Sequence, residues 1–300
     1  MDSRAALSAV ALTLLLIPCG ALQAAPQEIG GPDQAAPPFR WQRGPMNAAL
    51  GGMATINVPE GYLFLDAAET RKFLEANQNP TDGSELGTLT PAAEDQGWFI
   101  VFEFNDVGYI KDDEKDRLDA DALLTSIREG NERANTVRKE RGWGTLEIVG
   151  WQTEPHYDAR TNNLTWAIIG ESNGHRVVNH STRLLGREGY MNVDLVLAPG
   201  DLPTALPAFD GLMAGFTYDS GHRYAEFRAG DKLATYGLTA LVAGGAAAAA
   251  AKSGLLGKFW KVIVAGLVAV AAFLKRIYSR IFGRNETVVE GPAQGSGSSS

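Results

Sequence analysis

The sequence predicts an α+β domain: an antiparallel β-meander sheet covered by one long and one short helix, followed by a C-terminal transmembrane helical anchor. Three observations carry this reading. Four strand-like segments follow one another between residues 145 and 198, joined by short links rich in Asn and Gly. Links that short make antiparallel neighbours. One long amphipathic segment runs from Ala120, with Asp119 before it and Gly142 beyond its end. Past residue 232 come two apolar runs with Lys and Arg between and after them.

At the start, Arg4 precedes an apolar run, Ala5 to Ile17, followed by small residues around Gly20 and Ala21. The run is too short to span a membrane and reads as a signal peptide over 1–25. Cys19 is the only cysteine, so the chain beyond the signal has no disulfide framework and no thiolate site. Residues 26–54, rich in Pro, Gly, Ala and Gln, read as a linker with a short ordered piece near Trp41. The segment 55–230 is long enough for one domain with its own core and reads as the exported part. Asp and Glu number 35 against 27 Lys and Arg, a net charge of −8, which argues against a general nucleic-acid partner.

Within that domain, "ATINV" and "YLFL" read as strands around a Pro59-Glu60-Gly61 turn. "WFIVFEF", 98–104, is a continuous apolar run of the kind a central strand shows. The long helix follows. Asp119 is placed to accept from free backbone N–H groups, and Leu118 and Leu123 fall at the positions of a hydrophobic staple. Leu123, Leu124, Ile127, Ala134 and Val137 make its apolar stripe, and Gly142 ends it. The four meander strands come next. "DLPTALPAFDGLM" reads as the short helix, with Asp201 as its cap and Pro203 in its first turn.

The C-terminal region 233–275 reads as the membrane anchor. Leu233 to Ala251 holds no charge in nineteen residues, and a second run covers Val262 to Leu274. A span needs about 20 apolar residues. Seven Lys and Arg against two acids after residue 251 favour a single span with the tail inside, whereas two runs favour a hairpin with the tail outside. Both remain open. Ala240, Gly244, Gly245 and Ala248 supply small residues that let helix backbones approach, against the second run, another copy or a different membrane protein. Residues 276–300 read as a basic and then disordered tail.

Chemistry-bearing residues concentrate in "GWQTEPHYDARTNNLTWAI", 150–168. Strand alternation puts Ile148, Gly150 and Gln152 on one face and Val149 and Trp151 on the other. Asp158 to Asn163 has the composition of a turn, which places His156 and Tyr157 at a strand end. A second reading makes His156 a general base oriented by Asp158, with Arg183 and Asn179 nearby, in a membrane-tethered hydrolase. No motif supplies its nucleophile. Asn131, Asn135 and Arg138 share one helical face, which is a candidate binding surface together with Trp151, His156, Tyr157, Asn179 and Arg183. The acidic run "KDDEKDRLDAD" lacks the glycine and closing glutamate of a calcium loop. His156, His175, His180 and His222 lack metal-ligand spacing, and no phosphate loop occurs, so no metal site or cofactor is expected.

The segments "INVPEGYLFLD", "GYIKDD", "LLTSIREGNERANTVRKERG", "GWQTEPHYDARTNNLTWA", "RLLGREG" and "GHRYAEFRAGDKLATYGLTALVAGG" occur in an order that resembles the DUF2167 family of bacterial membrane-anchored proteins. The resemblance covers residues 50 to 260 and departs at His180, where the family pattern has Tyr. It implies a protein of the bacterial inner membrane with its main domain in the periplasm, and it brings no established reaction, cofactor or substrate. The expected role is a noncatalytic binding or scaffolding module near the bilayer, its ligand unknown.

Overall fold

A computed structural model describes residues 39–93 and 95–243. Eleven strands and four α-helices occur among them, besides two short 3-10 turns: β1 (Gln42–Arg43), β2 (Met46–Leu50), β3 (Ala54–Val58), β4 (Tyr62–Asp66), α1 (Ala67–Ala76), β5 (Glu85–Pro91), β6 (Phe99–Asn105), α2 (Ala120–Glu140), β7 (Glu147–Asp158), β8 (Asn163–Ser172), β9 (His175–Leu185), β10 (Tyr190–Leu197), α3 (Leu202–Met213), β11 (Phe216–Tyr218) and α4 (Leu238–Val242).

Eight strands form one antiparallel sheet in the order β1-β4-β5-β6-β10-β9-β8-β7. The expected meander is its second half, since β7, β8, β9 and β10 pair in sequence. Asn173 and Gly174, both at positive φ, make the tight turn between β8 and β9. The first half adds β6 beside β10, and then β5, β4 and β1.

A three-stranded sheet, β11-β3-β2, lies with α3 on one face, where Leu50, Ile56, Val58, Ile100, Phe102, Val193 and Phe209 bury together. On the other face α1, α2 and α4 cover Phe99, Val101, Trp166, Ile168 and Val196. The long and short helices therefore take opposite faces, and the antiparallel α+β class holds.

The domain extends beyond what the sequence reading placed in it: the ordered piece expected near Trp41 is part of a longer run, and α1 and β5 fall where no element was read. The linker read over 26–54 is structured from Phe39 onward. Arg40 donates to the buried Glu69 through its backbone N–H and its Nε, and Phe39 and Trp41 meet Phe73 edge-on. In β2, Ala48 and Leu50 are buried against β3. Short, small-residue strands look like linker because their order comes from packing rather than local propensity. Helix α1 was likewise unforeseen, although Asp66 caps it by accepting from the N–H groups of Ala68 and Glu69.

The anchor read over 233–275 begins too early. Leu233 bridges Tyr109, Glu114 accepts from the Thr239 N–H at the start of α4, and Leu238, Ala240, Leu241 and Val242 are buried in the core. Ala240 is thus a core residue of the domain. An apolar run satisfies a protein core as well as a bilayer, and hydropathy alone does not separate the two. Among the described residues no helix is long and apolar enough to cross a membrane. Gly244, Gly245, Ala248 and the remainder of that segment lie outside the described residues, as do 1–25 and the tail 276–300.

Candidate functional site

The helical face of Asn131, Asn135 and Arg138 turns inward, where all three are buried. Asn135 accepts from the Leu146 N–H at 2.9 Å and donates to the Leu146 carbonyl at 2.8 Å. Asn131 donates to the same carbonyl at 2.7 Å, and Arg138 donates to the Gln78 carbonyl. These side chains finish the hydrogen bonding of backbone at the start of β7, which corrects their reading as an exposed binding face. Arg128, one turn earlier, donates to the carbonyls of Ile148 and Val149. Val137, assigned to the apolar stripe, is 41% exposed. The buried stripe runs Leu123, Ile127, Asn131, Asn135, Arg138, apolar at one end and polar at the other.

Strand β7 carries register shifts against β8 after Ile148, Trp151 and Thr153. They break the simple alternation and bring Trp151 to the side of Ile148, where its Nε1 donates to the Ala120 carbonyl. The stretch 159–162 is a turn, as composition indicated. Asp158 accepts from the Arg160 N–H and from its guanidinium, and Asn162 takes positive φ.

The register decides the hydrolase constellation. His156 is opposite Thr165, and Thr165 is opposite Thr182, with 3.3 Å between the two hydroxyls. Asp158 lines up through Asn163 with Leu184. His156 and Asp158 thus share the face of Thr182 and Leu184. Arg183 and Asn179 occupy alternate positions of β9 and face the other way. His156 is exposed, with its Nδ1 3.4 Å from the Glu154 carbonyl oxygen, and Asp158 is engaged by Arg160 rather than by His156. The sheet separates the residues that reading needed together. Tyr157, on the Arg183 side, is half-buried with its hydroxyl 3.4 Å from Asn162, and burial, followed by Asp112, raises its pKa. His180, on the His156 side, packs edge-on to Phe209, and burial lowers its pKa to about 4.

Arg183 belongs instead to a buried polar cluster on the α2 side of the central strands. It lies 3.4 Å from Asp194, and its guanidinium stacks over Trp166 at 4.6 Å. Ser181 donates to the same Asp194 oxygen. Asn192 bridges two acids, donating to Glu103 at 2.6 Å and to Asp194 at 2.9 Å. Glu85 is paired across the strands with Glu103 and accepts from the N–H groups of Asp82 and Gly83. Burial, then the Asp194 charge, pushes the Glu103 carboxyl up to about 8, so it holds its proton at neutral pH. Sequence reasoning missed Glu103, Asn192 and Asp194. The signal was present, because acids inside otherwise apolar strands must find partners. Among the described residues no group of three His, Cys, Asp or Glu is arranged to hold a metal.

A cleft of about 420 Å³ opens where the two sheets part, beside β11 and the end of α3. Leu184, Leu185, Met213 and Phe216 supply its apolar walls, and Thr161, Asn162, Asn163 and Arg223 its polar ones. Tyr218 fixes one side: its hydroxyl donates to the Leu184 carbonyl at 2.7 Å and accepts from the Met191 N–H at 2.8 Å. Arg223 is exposed, and its Nε donates to the Tyr218 carbonyl at 3.2 Å. An apolar pocket with a few convergent polar groups is the usual form of a binding site. No local motif in the sequence announces this one, because its walls come from five separate segments.

Among solved structures, cyanobacterial PsbP from Synechocystis is 12% identical, with 64% of this chain and 100% of that chain covered at a TM-score of 0.38. The Saccharomyces cerevisiae Ran-binding protein Mog1p is 11% identical, with coverage of 62% and 100% and a TM-score of 0.33. The type VI secretion immunity protein TplEi of Pseudomonas aeruginosa is 11% identical, with coverage of 58% and 75% and a TM-score of 0.26. Likenesses this distant say nothing of what the chain does. No curated protein matches it. The family model described as protein of unknown function DUF2167 matches residues 42–275, and the chain belongs to that family.

Proposed function

We propose that this DUF2167 protein is a membrane-held envelope protein of bacteria whose domain is exported and binds a ligand or partner without catalysis. The observation that carries the binding reading is the cleft beside β11. It combines apolar walls with an exposed cation, and its walls are fixed by hydrogen bonds between separate strands. The apolar Ala5–Ile17 run supports export, and the apolar and basic composition beyond Ala243 supports a bilayer as one partner. That later segment is also where another membrane protein or a second copy would pack against Gly244, Gly245 and Ala248.

The test is photocross-linking in cells. A benzophenone amino acid is placed at Thr161 or Met213 in the cleft, and at the exposed Glu147 on the edge strand as a control. Discrete adducts from the cleft positions and not from the control are expected. Adducts from neither, or the same adducts from all three, would overturn the assignment of binding to the cleft.

A further inference from the structure

Strand β11 ends the three-stranded sheet, with β3 on one side. The Asn57 N–H donates to the Gly215 carbonyl and the Asp219 N–H to the Met53 carbonyl, and Thr217 is paired with Thr55 between them. In an antiparallel ladder the bonding residues alternate, so the backbone groups of Phe216 and Tyr218 point away from β3. The Tyr218 carbonyl is taken by Arg223 Nε. Among the described residues nothing pairs with the Phe216 N–H and carbonyl or the Tyr218 N–H on the outer edge, beside the cleft that Phe216 and Tyr218 line. Among the described residues no carboxylate lies within ion-pair distance of the Arg223 guanidinium; the Glu226 carboxylate accepts from the Arg223 N–H and feels its charge, and the Arg223 side chain is exposed at the end of that edge.

We propose that β11 accepts an extended peptide as a fourth strand, with an apolar side chain entering the cleft and a carboxylate meeting the guanidinium of Arg223. This rests on the reading of the cleft as a binding site and names its ligand class. Strand addition obtains affinity from main-chain bonds, which are blind to sequence, and selectivity from pockets for alternate side chains. Antiparallel to β11, the peptide residue opposite Phe216 exchanges both backbone bonds with it; parallel to β11, the Phe216 N–H and carbonyl bond two different peptide residues. Leu184 and Met213 receive the apolar side chain. Arg223 stands at the Tyr218 end, so its partner is either an Asp or Glu side chain or the terminal carboxylate of a peptide running parallel to β11. Its planar fork suits a carboxylate held by two bonds.

The test begins with random decapeptides displayed on phage, in one library internally and in another with a free C-terminus, selected on the full-length chain in detergent micelles. The enriched peptides are then measured by fluorescence anisotropy. Alternating apolar residues with Asp, Glu or a free terminus are expected. Arg223→Gln should weaken the acidic peptide about tenfold and leave its Gln or amidated analogue unchanged, and that comparison separates the side-chain source from the terminal one. Phe216→Pro removes the edge N–H and should weaken every selected peptide. Should that variant fold poorly, single N-methylation of the peptide against the native chain asks the same question: blocking the one peptide N–H that meets the Phe216 carbonyl should abolish binding, and blocking either neighbour should not. Enrichment of no peptide, equal tolerance of methylation at every peptide position, or equal binding of the acidic peptide by Arg223→Gln and native chain would overturn the proposal. Cleft cross-links in cells without peptide selection would keep the binding reading and remove strand addition alone.

Discussion

Replacing Glu103 with Gln should stabilise the protein at pH 8 and change it little at pH 5. The Glu103 carboxyl is buried beside Asp194 and rises from its ordinary 4.5 to about 8. Between those values the unfolded chain gives up the proton while the folded chain keeps it. Stability attached to this group is therefore complete below pH 4.5 and is lost as pH rises toward 8. Each pH unit in that window costs about 1.4 kcal/mol, which accumulates to about 4 kcal/mol at pH 8 and only about 1 kcal/mol at pH 5. Gln reproduces the neutral acid: its carbonyl can accept the bond that Asn192 now donates to Glu103 at 2.6 Å. For a domain of this size 1 kcal/mol moves the midpoint by about 2–4 °C, so the variant should melt roughly 10 °C above the native chain at pH 8. Calorimetry of both proteins in the same detergent at several pH values measures the difference. Parallel curves from pH 5 to 8 would show that Glu103 does not hold its proton, and the argument would fail.

Other expectations are simpler. Asn135→Ala should cost about 2–4 kcal/mol in denaturant unfolding, because it strands the buried Leu146 N–H, whereas Asn131→Ala should cost about 1 kcal/mol, because Asn135 still serves the shared carbonyl. A larger loss from Asn131→Ala would contradict the bond assignment. His156→Ala should change stability by less than about 0.5 kcal/mol and leave any cellular phenotype intact, as suits an exposed side chain; loss of function at an unchanged melting temperature would restore a catalytic role. Alkaline phosphatase fused after Ala243 should be active, and a stable but inactive fusion would refute export. Replacing Gly244 and Gly245 with Leu should keep membrane fractionation while reducing cross-linking to neighbouring helices; unchanged cross-links would make those glycines incidental to packing.

The meander, α2 and α3 were legible because each rests on local signals: short turns such as Asn173-Gly174, the Asp119 cap, and apolar positions at strand or helix spacing, although the Asp201 side chain makes no capping bond to α3. The capping of α1 by Asp66 was equally readable, but "AAETRKFLEA" has too mixed an apolar face to stand out. The face of Asn131, Asn135 and Arg138 could have been placed from phase alone. It continues Leu123 and Ile127 at four-residue steps, so what looked like a polar surface is the far end of the buried stripe. Arg183 was grouped with His156 by proximity in the hairpin, yet Thr182 and Arg183 must face opposite sides of a strand. The β11 cleft depends on how two sheets part, and no periodicity encodes that. Leu233 to Val242 reads the same whether it packs against protein or lipid, so only the fold could assign it to the core.

The hold of α2 on β7 bears on how such domains tolerate crowding. β7 is an edge of the eight-stranded sheet and twelve residues long, which makes it a ready template for a neighbouring chain. Arg128, Asn131 and Asn135 already occupy the carbonyls of Ile148, Val149 and Leu146, three register shifts bend the strand, and Pro155 removes one donor. A copy sliding alongside meets a kinked rail whose first carbonyls are already bonded. Molecules concentrated at a surface could then collide repeatedly without seeding fibres, while the three-residue rail at β11 is too short to propagate one.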